Sequence, residues 1–189
     1  MNYLERKDEM SDYYVLDSSR NIEEFVSAID GTTNIAKPCQ LSEFQFFDAN
    51  PIKIEVDDSS GRVFQDFIYD NGVPLISDRM KECLALLGVD YLFYKKILLT
   101  KRNLGVGEIY WLALPPRINC LNRDESEIDE LLNVADEIVI NDDKVGRYEV
   151  FKLAGVGNLE IIISKKIASA LKNEEFVGLH IYKIDYQEV

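Results

Sequence analysis

Acids are plentiful in this 189-residue chain, but few of its residues fall in a pattern that carries covalent chemistry. The one histidine, His180, alternates with Leu179 and Ile181 in a stretch that reads as a strand. A lone strand histidine, with no partner to orient it, makes a poor general base. Cys39, Cys83 and Cys120 are widely spaced and form no C-x-x-C pair. Cys83 falls on the apolar face of a predicted helix, so packing is expected of it rather than metal binding. Gly105-Val106-Gly107 and Gly155-Val156-Gly157 do not extend to G-x-G-x-x-G. Both lead into strands, as hairpin turns do, and not into a helix whose N-terminus could hold phosphate. No P-loop, nucleophile elbow or calcium loop occurs, and the adjacent acids Asp57-Asp58 and Asp142-Asp143 suit solvated turns. The expectation is a chain with no catalytic residue, no cofactor and no metal.

The pattern that stands out is acidic. Asp124, Glu125, Glu127, Asp129, Glu130, Asp136, Glu137, Asp142 and Asp143 fall in twenty residues that contain no Lys or Arg. Leu131, Leu132, Val134 and Ala135 are interleaved with them, which predicts a short helix lying on the core with its acids outward. Such a face is either simply solvated or a docking surface for a cationic protein, because opposite-sign fields speed encounter and select partners. Tight binding also needs apolar anchors. Tyr13, Tyr14, Phe44, Phe46, Phe47, Phe64, Phe67 and Tyr69 are the candidates.

Composition narrows the partners. The 21 basic and 34 acidic residues leave a net charge of −13, a field that repels phosphate backbones and anionic lipid, so neither nucleic acid nor membrane is expected as a partner. No apolar run approaches the eighteen or so residues of a membrane span. With five acids among the first twenty residues, no secretory leader is expected there. Three cysteines cannot close a disulfide framework, so a reducing compartment, the cytoplasm, is expected.

The elements that must position these residues read as strand-rich α+β, largely antiparallel, with short Ser-capped helices. Ile52–Val56 alternates apolar and charged residues, as a half-buried strand does. Tyr13–Leu16, Ile97–Leu99, Ile109–Leu114, Ile138–Ile140 and Tyr148–Leu153 also read as strands, with Pro115-Pro116 ending the Trp111 strand. A short helix is predicted near Ile22–Ile29, followed by polar turns through Gly31–Asn34. Ser77 caps a helix over Asp78–Leu87 with Met80, Cys83, Leu84 and Leu87 on one face and Gly88 as its stop. Ser164 caps a second, Lys165–Asn173, with Ile167, Ala170 and Leu171 inward. Each helix follows an apolar strand (Val73–Ile76, Leu159–Ile163) and precedes another (Tyr91–Tyr94, His180–Ile184). An offset of 87 residues superposes Ser77 on Ser164, Met80 on Ile167 and Leu84 on Leu171, so the chain holds two similar strand–helix–strand units. No linker divides it. Residues 1–189 read as one α+β domain, or as sub-lobes of about 1–100 and 101–189 sharing a core.

These landmarks carry a resemblance. The run Val73-Pro74-Leu75-Ile76-Ser77-Asp78-Arg79-Met80, the strand Tyr110–Leu114, then Ile118-Asn119-Cys120-Leu121-Asn122-Arg123 with Ser126, resemble the immunity proteins of bacterial polymorphic toxin systems. Ile138-Val139-Ile140, Val150-Phe151-Lys152-Leu153, Ile162-Ile163-Ser164 and Gly178-Leu179-His180-Ile181 follow in that family's order. Lys152 stands where Arg is usual and Asn122 where Asp is common. The resemblance implies a cytoplasmic antidote that binds a cognate toxin without catalysis; a basic, nuclease-like toxin would match the chain's charge. An adaptor with a different protein partner, and a carboxylate- or metal-dependent enzyme, stand as the alternative readings.

Overall fold

The computed structural model describes residues 13–19, 21, 23–26, 29–41, 47, 50–56, 60–101 and 106–184. Ser77 and Ser164 each end a buried apolar strand and start a nine-residue helix, α2 (Asp78–Leu86) and α4 (Lys165–Asn173). Both serines are extended (φ −67°, ψ 162° and φ −71°, ψ 164°), and each hydroxyl accepts the N–H three residues on, from Met80 and Ile167. This satisfies one of the donors that a helix N-terminus leaves unpaired. Met80 and Leu84 are buried on α2, and Ile167, Ala168 and Leu171 on α4. Ala168 thus takes the inward place that the periodicity assigned to Ala170.

Antiparallel pairing dominates the remaining elements. One sheet runs β2 (Ile52–Glu55), β5 (Phe93–Lys101), β6 (Val106–Leu114), β4 (Val73–Ser77), β3 (Phe67–Asp70), with only β2·β5 parallel. A second runs β12 (Leu179–Lys183), β1 (Tyr13–Ser18), β11 (Ile161–Ser164), β10 (Val150–Leu153), β7 (Arg117–Ile118), with only β10·β7 parallel. The α+β class expected from the sequence is the class observed. Tyr91–Tyr94 and Ile97–Leu99 contribute to a single strand, β5, and Ile140 makes an isolated bridge to Leu121. β6 belongs to the first sheet and β1 to the second, so each sheet draws on both halves of the sequence.

The two similar units match in three dimensions. β4 pairs with β6, which pairs with β5; β11 pairs with β1, which pairs with β12. The cap serines occupy the same register, Ser77 opposite Tyr110 and Ser164 opposite Tyr13. The helices also exchange their ends. Arg79 Nη2 donates to the carbonyls of Glu174 and Glu175 at 3.1 and 3.2 Å, and Lys166 Nζ to that of Leu87 at 3.0 Å. A cation from the first turn of each helix therefore sits at the negative C-terminal end of the other. Arg79 and Lys166, Leu87 and Glu174, are pairs at the same 87-residue offset. Gly88 (φ 86°) stops α2, and Glu175 (φ 51°) takes the left-handed position after α4.

Three apolar clusters fill the layers. The first joins both helices to both sheets, with Phe67, Ile76, Met80 and Leu84 meeting Leu16, Ile163, Ile167 and Leu171. The second lies between the first sheet and α1 (Ile29–Leu41). This helix replaces the turns expected at Gly31–Asn34 and contains Pro38. Packing of Ala36 and Cys39 against Ile54 and Leu75 outweighs the poor helix propensity of glycine and proline here. The helix predicted near Ile22–Ile29 is not formed at residues 23–26: Glu23 and Glu24 turn and Phe25 bridges Val63, because the backbone of Glu24–Val26 pairs with Gly61 and Val63; α1 starts where the predicted helix was expected to end. The third cluster lies on the far face of the second sheet. Among the described residues no helix is long and apolar enough to cross a membrane.

Candidate functional site

The acidic stretch folds as an antiparallel arm laid on the far face of the second sheet. Its base is closed by Asn141 N–H donating to the Cys120 carbonyl and Asn122 N–H to the Val139 carbonyl, both at 2.8 Å, around the Leu121–Ile140 bridge. Ser126 Oγ accepts the Val139 N–H at 3.0 Å. The arm then continues as β8 (Glu127–Asp129) and β9 (Val134–Glu137). Cys120, Leu121, Ala135, Ile138 and Ile140 face Phe151, Leu153 and Ile162 of the sheet and anchor it. The predicted short helix over Leu131–Ala135 is therefore a hairpin turn and strand.

Asp129 decides that outcome. Its carboxylate accepts the N–H groups of Leu131 and Leu132 at 2.8 and 3.0 Å, a side-chain-capped turn that competes directly with helix. Asn133 follows in the left-handed region (φ 52°) and brings the chain back. The leucines consequently point away from the core, 97% and 72% exposed. The loop after β10 clamps the returning strand. Buried Asn158 exchanges two hydrogen bonds with the backbone of Ala135 (2.7 and 3.0 Å), and Gly157 N–H donates to the Asn133 carbonyl at 2.6 Å. Arg123 Nη2 donates to the Gly155 carbonyl at 2.7 Å. A Cβ on Gly157 would stand 3.3 Å from the Asn133 oxygen, so the second glycine of Gly155-Val156-Gly157 lets the two backbones meet. The clamping role of Asn158 had one signal in the sequence, an asparagine straight after a Gly-x-Gly turn, and that of Arg123 had none.

The structure brings seven of the nine acids onto this arm: Asp124, Glu125, Glu127, Asp129, Glu130, Asp136 and Glu137. Asp142 and Asp143 open the short helix α3 (Asp142–Val145) just past its base. All are exposed except Asp129, which is half-buried at its turn. Glu127 and Glu137 face each other across the strands, and like charges directly opposite destabilise a pair. Neither is in an ion pair among the described residues. The aromatic anchor candidates lie elsewhere. Phe67 is buried, and Tyr13, Tyr14, Phe47, Phe64 and Tyr69 are half-buried in the clusters. Phe44 and Phe46 are outside the described residues.

The cysteines are packed in or against the core. Burial pushes the Cys39 thiol up to about 12 and the Cys120 thiol up to about 11, which keeps both protonated at neutral pH. Burial also raises Cys83, and all three cysteines are free. His180 is exposed on β12 beside Tyr182, with ring centres 5.1 Å apart. Among the described residues, no group of three or more His, Cys, Asp or Glu side chains is arranged to hold a metal ion. A cavity of about 290 Å³ opens at the start of α2, lined by Asp66, Ser77, Arg79, Glu108 and Tyr110 among others. Its Asp66 carboxylate is already taken up by the Ser77 hydroxyl (2.6 Å), Arg79 (3.5 Å) and the Val177 N–H (2.9 Å).

Comparison with curated proteins returns no match. A family model described as the immunity protein family Imm11 matches residues 5–185, nearly the whole chain and every element described above. The chain belongs to the Imm11 immunity protein family.

Proposed function

We propose that this chain neutralises a cognate bacterial toxin in the cytoplasm by forming a stoichiometric complex with it, without catalysis. The observation that carries this reading is the family match across residues 5–185. The acidic arm supports it by offering a surface for a basic toxin, of which a nuclease with a cationic groove is the natural example. Asp124, Glu125, Glu127, Asp129, Glu130, Asp136, Glu137, Asp142 and Asp143 form the partner-binding region, with Asp129 shaping its tip. The net charge of −13 disfavours nucleic acid and anionic membrane as direct partners.

Co-expression tests the reading. The toxin domain encoded beside this gene is expected to kill bacteria alone and to be tolerated with this chain, and the two proteins are expected to co-purify. Killing that persists with no complex recovered would refute it. Rescue that leaves the toxin permanently modified after the chain is removed would instead point to an enzyme.

A further inference from the structure

We infer that Leu131 and Leu132 are the apolar anchor of the complex, seated in an apolar pocket on a basic partner, with the arm's carboxylates as the surrounding rim. This inference rests on the function proposed above and goes beyond it by naming the contact and the chemistry of its occupant. The two leucines are adjacent, 97% and 72% exposed, at the end of an arm that is otherwise polar outside. One exposed leucine is ordinary on a protein surface; a pair held outward by a built turn is not.

The turn is held by several hydrogen bonds. Asp129 holds the N–H groups of both leucines, Asn133 is left-handed, and its carbonyl is pinned by Gly157. Folding the leucines back onto the core would break this whole set. An anchor prepared in its bound shape loses little entropy on docking. The rim selects the occupant. Glu127, Glu130, Asp136 and Glu137 are exposed around the strands, and the unpaired Glu127–Glu137 opposition would be relieved by a cation from a partner. A second copy of this chain would bring two acidic rims together, and an anionic lipid surface or a nucleic acid would be repelled.

The test uses the full chain and the adjacent-gene toxin, with affinity measured by calorimetry for wild type, a Leu131→Ser/Leu132→Ser variant and a Glu127→Gln/Glu130→Gln/Glu137→Gln variant. The leucine variant is expected to lose on the order of a hundredfold in Kd or more, from two apolar side chains no longer buried. It should keep the wild-type melting temperature and salt dependence. The glutamine variant is expected to lose less at physiological salt and to flatten the salt dependence. Wild-type binding that the leucine variant matches within about threefold would overturn the anchor while leaving the proposed function standing. Failure of the wild-type chain itself to bind would overturn both. A dimer of the chain alone that the leucine variant dissolves, with toxin affinity unchanged, would assign the tip to a second copy and overturn the inference.

Discussion

Lys152, in the middle of β10, is fully buried, and exchanging it for methionine isolates the cost of a charge placed between the two sheets. Its Nζ donates to the Gly72 carbonyl at 3.1 Å and lies 5.6 Å from the centre of the Tyr69 ring, so one side chain of the second sheet reaches β3 of the first and the turn that follows it. Burial pushes its pKa from the ordinary 10.5 to about 8; Cys39 and Glu160 pull the other way, and Arg117 adds to the fall. Between these two values the unfolded chain holds a proton that the folded chain does not. The lysine's contribution to stability is therefore most favourable above the unfolded value and is lost as pH falls toward and through 8. A shift of this size costs about 3 kcal/mol near pH 7.5 and about 1.5 kcal/mol near pH 9.5. Methionine carries no such cost, but it leaves the Gly72 carbonyl without its donor, a pH-independent loss of about 1–3 kcal/mol. Lys152→Met is thus expected to be equal to wild type or more stable near pH 7.5. Relative to wild type it should lose about 2 kcal/mol by about pH 9.5. Urea unfolding followed by Trp111 fluorescence at several pH values measures the gap directly. The titrations of Cys39 and of the buried tyrosines act on both proteins and largely cancel in the difference. A gap that stays constant with pH would refute the reasoning, because it would mean that Lys152 is charged in the fold at no cost.

Two further outcomes follow from the local geometry. Ser77→Ala and Ser164→Ala should each lower stability by about 1 kcal/mol, seen as a fall of roughly 2–4 °C in Tm, since each serine caps its helix in the same way. Clearly unequal losses would break the equivalence of the two units. Asp129→Ala should accelerate hydrogen exchange at the Leu131 and Leu132 amides while changing global stability by less than about 1 kcal/mol, because these exposed groups can turn to water. Unchanged exchange at both amides would show that the carboxylate does not hold the tip.

The sequence by itself determined what is local. Serine caps, helical spacing around Met80 and Ile167, the glycine stop at 88 and the strand break at Pro115-Pro116 each depend on a few neighbouring residues, so they were legible and they hold. The acidic stretch was legible as composition, since charge needs no fold to be counted. Tertiary structure decided everything that depends on what lies across a gap in the chain. β1 joins the second sheet because its apolar positions complete the ladder between β11 and β12. α1 stays helical through Gly31 and Pro38 because Ala36 and Cys39 pack on the first sheet. Glu175 serves as a left-handed helix stop without a glycine to announce it, with Arg79 bonded to its carbonyl. The same limit hid which apolar residues face outward. Of the aromatic candidates Phe67 is buried and Tyr13, Tyr14, Phe47, Phe64 and Tyr69 are half-buried, whereas leucines expected on the core are exposed at the tip. Apolar character says only that a side chain gains by leaving water; whether its own fold or a partner removes it is set by the turn at Asp129 and the clamp at Asn158, whose partners lie at other points of the chain.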